Sequence, residues 1–349
     1  MWDEYHECAR RIDVKHTNLH ERNMRTAIKS LTISGLSIAM VGCAGLATQL
    51  PEISSPSLNA EKKEQEKRLF SEWDSMSERL LRVGRPILKA NVDLCPRITP
   101  DIGVLTHDQD LYGKYLKEGS ERELGASAEP SVLHISINGP AQNTELRRGD
   151  IIRNEMNKAL DTRGIQKALA GQDALKIDRE GQKIPFSVPA ETICGYDLIL
   201  KQSAAVNAFA NGRQIIITTG MMNFVETDEE LAIIIGHELA HNTMGHIRKI
   251  IGNLILSGGA TRYTRPFESE ADYVGMYFSK RAGYNIDSVE AFWRRLAVVH
   301  PRNVNRAKTH PIFPDRYLRL EATRKEIEQK LENDLPLFPN FKMKKKSKS

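Results

Sequence analysis

His237-Glu238-Leu239-Ala240-His241 constrains the fold of this 349-residue chain more than any other stretch. An α-helix turns about 100° per residue, so the two histidines stand roughly 40° apart on one face and one turn apart. Both rings can then reach a single point. Glu238 projects from the adjacent stripe, where it can hold a water at that point without being a ligand itself. Paired imidazoles beside a carboxylate are donor chemistry for Zn2+, and one ion per chain is expected. The lead-in, Leu231 to Gly236 (LAIIIG), is apolar on every side, so the helix is expected to be buried with its histidines in an interior cleft. Thr227-Asp228-Glu229-Glu230 supplies an N-cap candidate and acids for the first turn. A site open to water needs a third protein ligand, and the carboxylates of Phe267 to Gly275 (FESEADYVG) offer it from a second helix. His246, five residues past His241, would be turned about 140° away on a continuing helix, and it is read as structural.

Composition narrows the class. Hydrophobic residues make up 40% and charged residues 27%, enough for a buried core and too ordered a mixture for wholesale disorder. Fifty Lys+Arg against 45 Asp+Glu leave a net +5, part of it in the tail Lys342 to Lys348, which argues against a nucleic-acid partner. A mean hydropathy of −0.44 excludes a polytopic membrane protein. Helical spacing of Leu69, Phe70, Trp73, Met76, Leu80, Leu81 and Val83 predicts a helix over 60–89, after a Pro/Ser-rich spacer at 51–58. The expected organisation is an export region at 1–50, an N-terminal helix of the catalytic domain within 60–98, a strand-rich insertion at 99–194, a catalytic domain at 195–335 and a basic tail at 336–349. Cys95 and Cys194 bracket the insertion, and in an exported protein they are candidate disulfide partners; two buried free thiols are the alternative.

The amino-terminal text resembles a bacterial lipoprotein signal. Met24-Arg-Thr-Ala-Ile-Lys29 precedes an apolar stretch that ends at Met40-Val41-Gly42-Cys43, which resembles a lipobox. That resemblance implies lipidation of Cys43, a start at Met24, a lipid anchor in a membrane (the outer rather than the inner) and a periplasm-facing place in the cell envelope. An uncleaved anchor over about 30–50 is the alternative.

The motif His-Glu-x-x-His followed by Glu-x-Glu-Ala-Asp-x-x-Gly resembles the HtpX, CAAX prenyl endopeptidase and BepA group of gluzincin zinc metallopeptidases. The resemblance covers about 60–330. It implies an α+β fold: a mostly helical zincin-type domain with a small edge sheet. It also implies Glu268 as third metal ligand beside His237 and His241, with Asp272 supporting a ligating histidine. Thr309-His310-Pro311 and Arg316 match the family's late His-Pro…Arg pattern, which implies His310 and Arg316 over the metal, stabilising an oxyanion. Asn207-Ala208-Phe209 resembles the strand that lines the substrate groove. Only 26 residues separate His241 from Glu268, short for this family, which favours protein or peptide substrates over prenylated membrane ones.

Ser131 to Ile137, Asn138-Gly139-Pro140-Ala141 and Gly149-Asp150 resemble a bacterial PDZ core, so the insertion is expected to be PDZ-like, a peptide binder or a spacer. The expected function is a zinc-dependent endopeptidase acting on extended or misfolded envelope proteins, with Glu238 as general base. The alternative is a latent protease working mainly as a chaperone, assembly or peptide-binding factor.

Overall fold

A computed structural model describes residues 50–249, 265–299 and 314–340. Cys43, His310, the short connection after Lys249 and the lysines of the tail lie outside the described residues. The elements below all fall in one unit, Ile53–Ser349.

The chain enters through α1 (Ser55–Ala90), five residues earlier than its apolar spacing suggests. Ser54 explains the shift: its side chain caps the helix by accepting from Ser57 N–H, and Pro56 sits at the start, where no amide hydrogen is needed. Only the later part of α1 is buried, from Phe70 through Leu88.

Strand β1 (Ile98–Asp101) opens the insertion and β2 (Val104–His107) follows. Then come α2 (Lys117–Leu124), β3 (Ser131–Ile135), β4 (Ile151–Arg153), α3 (Thr162–Ala170), β5 (Leu175–Arg179), β6 (Gln182–Phe186) and β7 (Glu191–Cys194). Strand β7 returns antiparallel onto β1 with Ile98 opposite Cys194, and a disulfide joins Cys95 to Cys194 at the same place. Arg85 of α1 fastens this base, donating to Asp101 and Glu191 at 2.7 Å each. Between the ends of the base, β2 pairs β3, and β4–β5–β6 form an antiparallel sheet. Ile102, Val132, Ile152, Ile165, Ile177 and Phe186 bury a hydrophobic cluster of their own.

The remaining elements share the larger cluster. A small sheet has the order β8 (Asp197–Lys201), β10 (Gln214–Thr218), β9 (Ala208–Ala210), with β8 parallel and β9 antiparallel to the central β10. Helices α4 (Thr219–Phe224), α5 (Asp228–Thr243), α6 (Arg265–Arg281), α7 (Val289–Val299) and α8 (Pro314–Glu332) complete it. The molecule is mixed helix and strand, as the α+β expectation has it. Residues 336–340, read as the start of the basic tail, pack on the helices: Arg281 stacks on Phe338 and donates to Leu337 O, and Asn340 N–H donates to the Tyr273 hydroxyl. No helix among the described residues is long and apolar enough to cross a membrane.

Candidate metal centre

Helix α5 is capped as its sequence demands. Thr227 Oγ1 accepts from Glu230 N–H, and the Glu230 carboxylate accepts from Glu226 N–H. Arg79 and Arg82 hold Asp228 in the first turn. Every residue from Glu230 to Asn242 is buried, so this helix has no solvent face along its histidines.

Two glycines bring α6 against it. A Cβ on Gly275 would lie 2.7 Å from His237 N, and one on Gly236 would lie 2.5 Å from Gly275 O. The backbones therefore touch at this crossing, and Ser279 Oγ donates across it to Ala232 O at 2.9 Å. From that contact the helices run antiparallel, which carries Glu268 and Asp272 to the two histidines. His237 Nε2 and His241 Nε2 are 3.0 Å apart, and the Glu268 carboxylate lies 3.6 Å from the first and 3.5 Å from the second. All three residues are buried, and their donor atoms form a cluster able to hold a metal ion. A tetrahedral zinc with bonds of about 2.0–2.1 Å sets its donors about 3.3 Å apart, so two imidazoles and a carboxylate at 3.0–3.6 Å fit that ion. Glu238, also buried, is the next residue along α5.

The surrounding charges are organised around the histidines. Asp272 Oδ1 lies 2.9 Å from His237 Nδ1. Burial opposes a charged imidazole at His237, but Asp272, Glu268 and Glu238 outweigh it and push the group up to about 10. Asp272 is itself fully enclosed; burial pulls it upward, and Arg316 and His237 hold it below the ordinary carboxylate range.

Arg316, which the late-motif resemblance puts over the metal, is bound to Asp272, a contact that the pattern did not foresee. Its Nε and Nη2 grip both oxygens of Asp272 at 2.6 and 2.7 Å, and its guanidinium stacks 3.7 Å from the Trp293 ring centre. Nη1 is buried with no hydrogen-bond partner among the described residues, which leaves one nitrogen for work beyond the clamp. Trp293 also packs on His237, with ring centres 5.4 Å apart. Nothing in the spacing of α7 distinguishes this tryptophan from ordinary core.

His246 is another difference. Helix α5 stops at Thr243, and Gly245 takes a left-handed turn at φ 66°. That turn redirects the chain, and the ring that a continuing helix would point away comes back beside His241. Its Nδ1 lies 3.1 Å from His241 Nδ1 and its Nε2 lies 2.8 Å from Glu270 Oε2. Burial holds His246 below the usual histidine value, against the pull of Glu270.

The Asn207–Phe209 stretch lies at the β9 edge of the small sheet, with Ala208 opposite Ile217 and Phe209 opposite Ile216. Asn242, the residue after His241, fixes this hairpin: it accepts from Gly212 N–H at 2.7 Å and donates to Gln214 O at 3.0 Å. The edge strand and the ligand helix are thus tied together.

A known peptidase family matches this same region. Residues 184–257 and 249–324 match the model of Peptidase family M48. The chain is 22% identical over 212 residues to the mitochondrial metalloendopeptidase OMA1 of Arabidopsis thaliana, covering 54% of this chain and 39% of that protein. It is 23% identical over 282 residues to a putative beta-barrel assembly-enhancing protease of Vibrio cholerae serotype O1, covering 68% and 49%. With the human OMA1 metalloendopeptidase, identity is 24% over 170 residues, 37% of this chain and 32% of the relative. The chain thus spans half or less of the length of these curated relatives. The OMA1 proteins are metalloendopeptidases and the Vibrio protein is a putative protease, and the expectation of a metalloprotease agrees with them.

Proposed function

We propose that this protein is a zinc-dependent endopeptidase that cuts extended or misfolded polypeptides in the bacterial cell envelope. The observation that carries the reading is the convergence of His237 Nε2, His241 Nε2 and the Glu268 carboxylate beside Glu238, inside the segment that matches the peptidase family. A zinc ion held by those three supplies Lewis-acid polarisation of the scissile carbonyl and brings the pKa of a water down to about 7. The chain supplies the rest. Glu238 takes the proton of the attacking water and passes it to the leaving amine. Arg316 Nη1 is a donor available to the developing oxyanion, and His310 joins it on the late-motif resemblance. An extended substrate adds as a strand along the edge near Asn207, Ala208 and Phe209, where main-chain pairing sets the register of the cut.

The insertion is read as PDZ-like, selecting or regulating substrates. Support comes from a cavity of about 370 Å³ that β2 (Leu105, His107) and α3 (Thr162, Gln166) share with α1 (Trp73, Leu80) and β8 (Leu198), so one wall is a strand-and-helix pair and the rest belongs to the larger core. Thr106 and Thr162 bond each other's backbone amides across this gap, so an incoming strand must replace those bonds. The Cys43 lipobox supports a lipid-anchored, periplasm-facing location.

Glu238→Gln tests the chemistry. It removes the base and leaves the three ligands, so the variant should keep its zinc and lose casein hydrolysis by at least about a hundredfold. Undiminished cleavage by that variant would remove the mechanism.

A further inference from the structure

If His237 and His241 both present Nε2 to the metal, each ring must carry its proton on Nδ1, and each Nδ1–H needs an acceptor. For His237 the carboxylate within reach is Asp272, 2.9 Å from Nδ1. For His241 the contact at Nδ1 is another imidazole, His246, at 3.1 Å. The tautomer of His246 then decides whether it can accept. A neutral imidazole has one N–H. At its far side His246 Nε2 meets the Glu270 carboxylate at 2.8 Å, and a carboxylate takes a donor. The single proton therefore sits on Nε2, and Nδ1 keeps a lone pair directed at His241.

We propose that Glu270 and His246 form a positioning relay that fixes His241 as its Nδ1–H tautomer and so aims the His241 Nε2 lone pair at the metal. The proposal rests on the metalloprotease reading above and extends it to two residues outside the ligand set. Several observations carry it together. His246 is fully buried, so water does not compete for its ring nitrogens. Its ring lies against Phe267 with centres 5.0 Å apart, which limits rotation. Gly245 places it by a left-handed backbone that few other residues adopt. Glu270 is two residues from the ligand Glu268 on the same helix, so the end of the relay and the third ligand are carried by one rigid element. The two histidines are thus oriented through different routes. His237 leans on a carboxylate clamped inside the protein, and His241 leans through a second ring on a carboxylate that reaches solvent, with a side chain 41% exposed.

The test uses the protein without metal and with zinc. Nitrogen-15 NMR of the metal-free protein reads the His241 tautomer, and competition with a chelator reads zinc affinity. His246→Phe keeps the ring volume and removes the acceptor, and it should weaken zinc binding about 10–100-fold and release His241 from the Nδ1–H form. His246→Gln restores an acceptor oxygen and should recover most of both signals, which a purely structural role for the ring would not produce. Glu270→Ala, at a half-exposed position, gives the same direction of change should the phenylalanine variant fail to fold. Wild-type affinity together with an unchanged His241 tautomer in the Phe or Ala variant would overturn the relay. Absence of zinc binding by the wild type would count against the metalloprotease reading, and the relay would still be judged by the tautomer.

Discussion

Buried histidines in this chain sit in opposite electrostatic settings. His237 is surrounded by Asp272, Glu268 and Glu238, so its charged form is favoured despite complete burial. His107 is also buried, 2.8 Å from the Tyr112 hydroxyl, but burial dominates there; Arg148 and His134 lower it further, Asp74 opposes them, and the group falls to about 4. The sign follows from proton counting. Between about 6.5 and 4 the unfolded chain binds a proton at this position and the folded chain does not, so stability is full above 6.5 and is lost as pH falls toward 4. The loss is about 3 kcal/mol at most. His107→Gln cannot titrate and still offers Tyr112 a polar partner. Urea midpoints measured from pH 7 to pH 4 should fall less steeply for the variant, and parallel slopes would contradict the assignment. At this scale the ligand pair was legible because a regular helix converts sequence spacing into angle. His246 was not, because its place depends on the turn at Gly245. Trp293 was not, because it arrives from α7, 52 residues beyond His241 in the chain, through packing alone.

The crossing of α5 and α6 is the element on which the site depends. Gly236 and Gly275 let two backbones meet, and the last residue of the Glu-x-Glu-Ala-Asp-x-x-Gly pattern thereby has a steric reason. Gly275→Ala puts a methyl 2.7 Å from His237 N, where backbone and no flexible side chain must give way. It should cost about 1–3 kcal/mol and move Asp272 off His237, so both thermal stability and zinc affinity should drop. A variant with wild-type melting and zinc content would show that the helices have room to spare. The pattern text announced both helices, and the sheet edge at Asn207 to Phe209 came with them through Asn242. The start of α1 was misplaced because its capping residues, Ser54 and Pro56, also read as spacer.

For the molecule as a whole, the insertion leaves and returns through one narrow base made of β1, β7, the Cys95–Cys194 disulfide and Arg85. The bridge spans a sequence separation of 99, and closing a loop of that size removes about 4–5 kcal/mol of unfolded-state entropy. Replacing both cysteines with alanine should lower stability by about 2–5 kcal/mol in urea titration, and an unchanged midpoint would mean that the strands and Arg85 hold the base unaided. Bracketing cysteines made this closure readable from the sequence. The separate core of the insertion was less so, since its members, from Ile102 to Phe186, come from short strands whose pairing is set by long-range register.

The whole site turns on a zinc ion held by two imidazoles and one carboxylate. Metal analysis of the purified protein, with X-ray absorption at the zinc edge for wild type and Glu268→Gln, tests it directly. One zinc per chain with two nitrogen ligands and oxygen ligands near 2.0–2.2 Å, weakened or lost in the variant, is the expected result. No zinc, or a zinc whose shell is unchanged when Glu268 is replaced, would contradict the site.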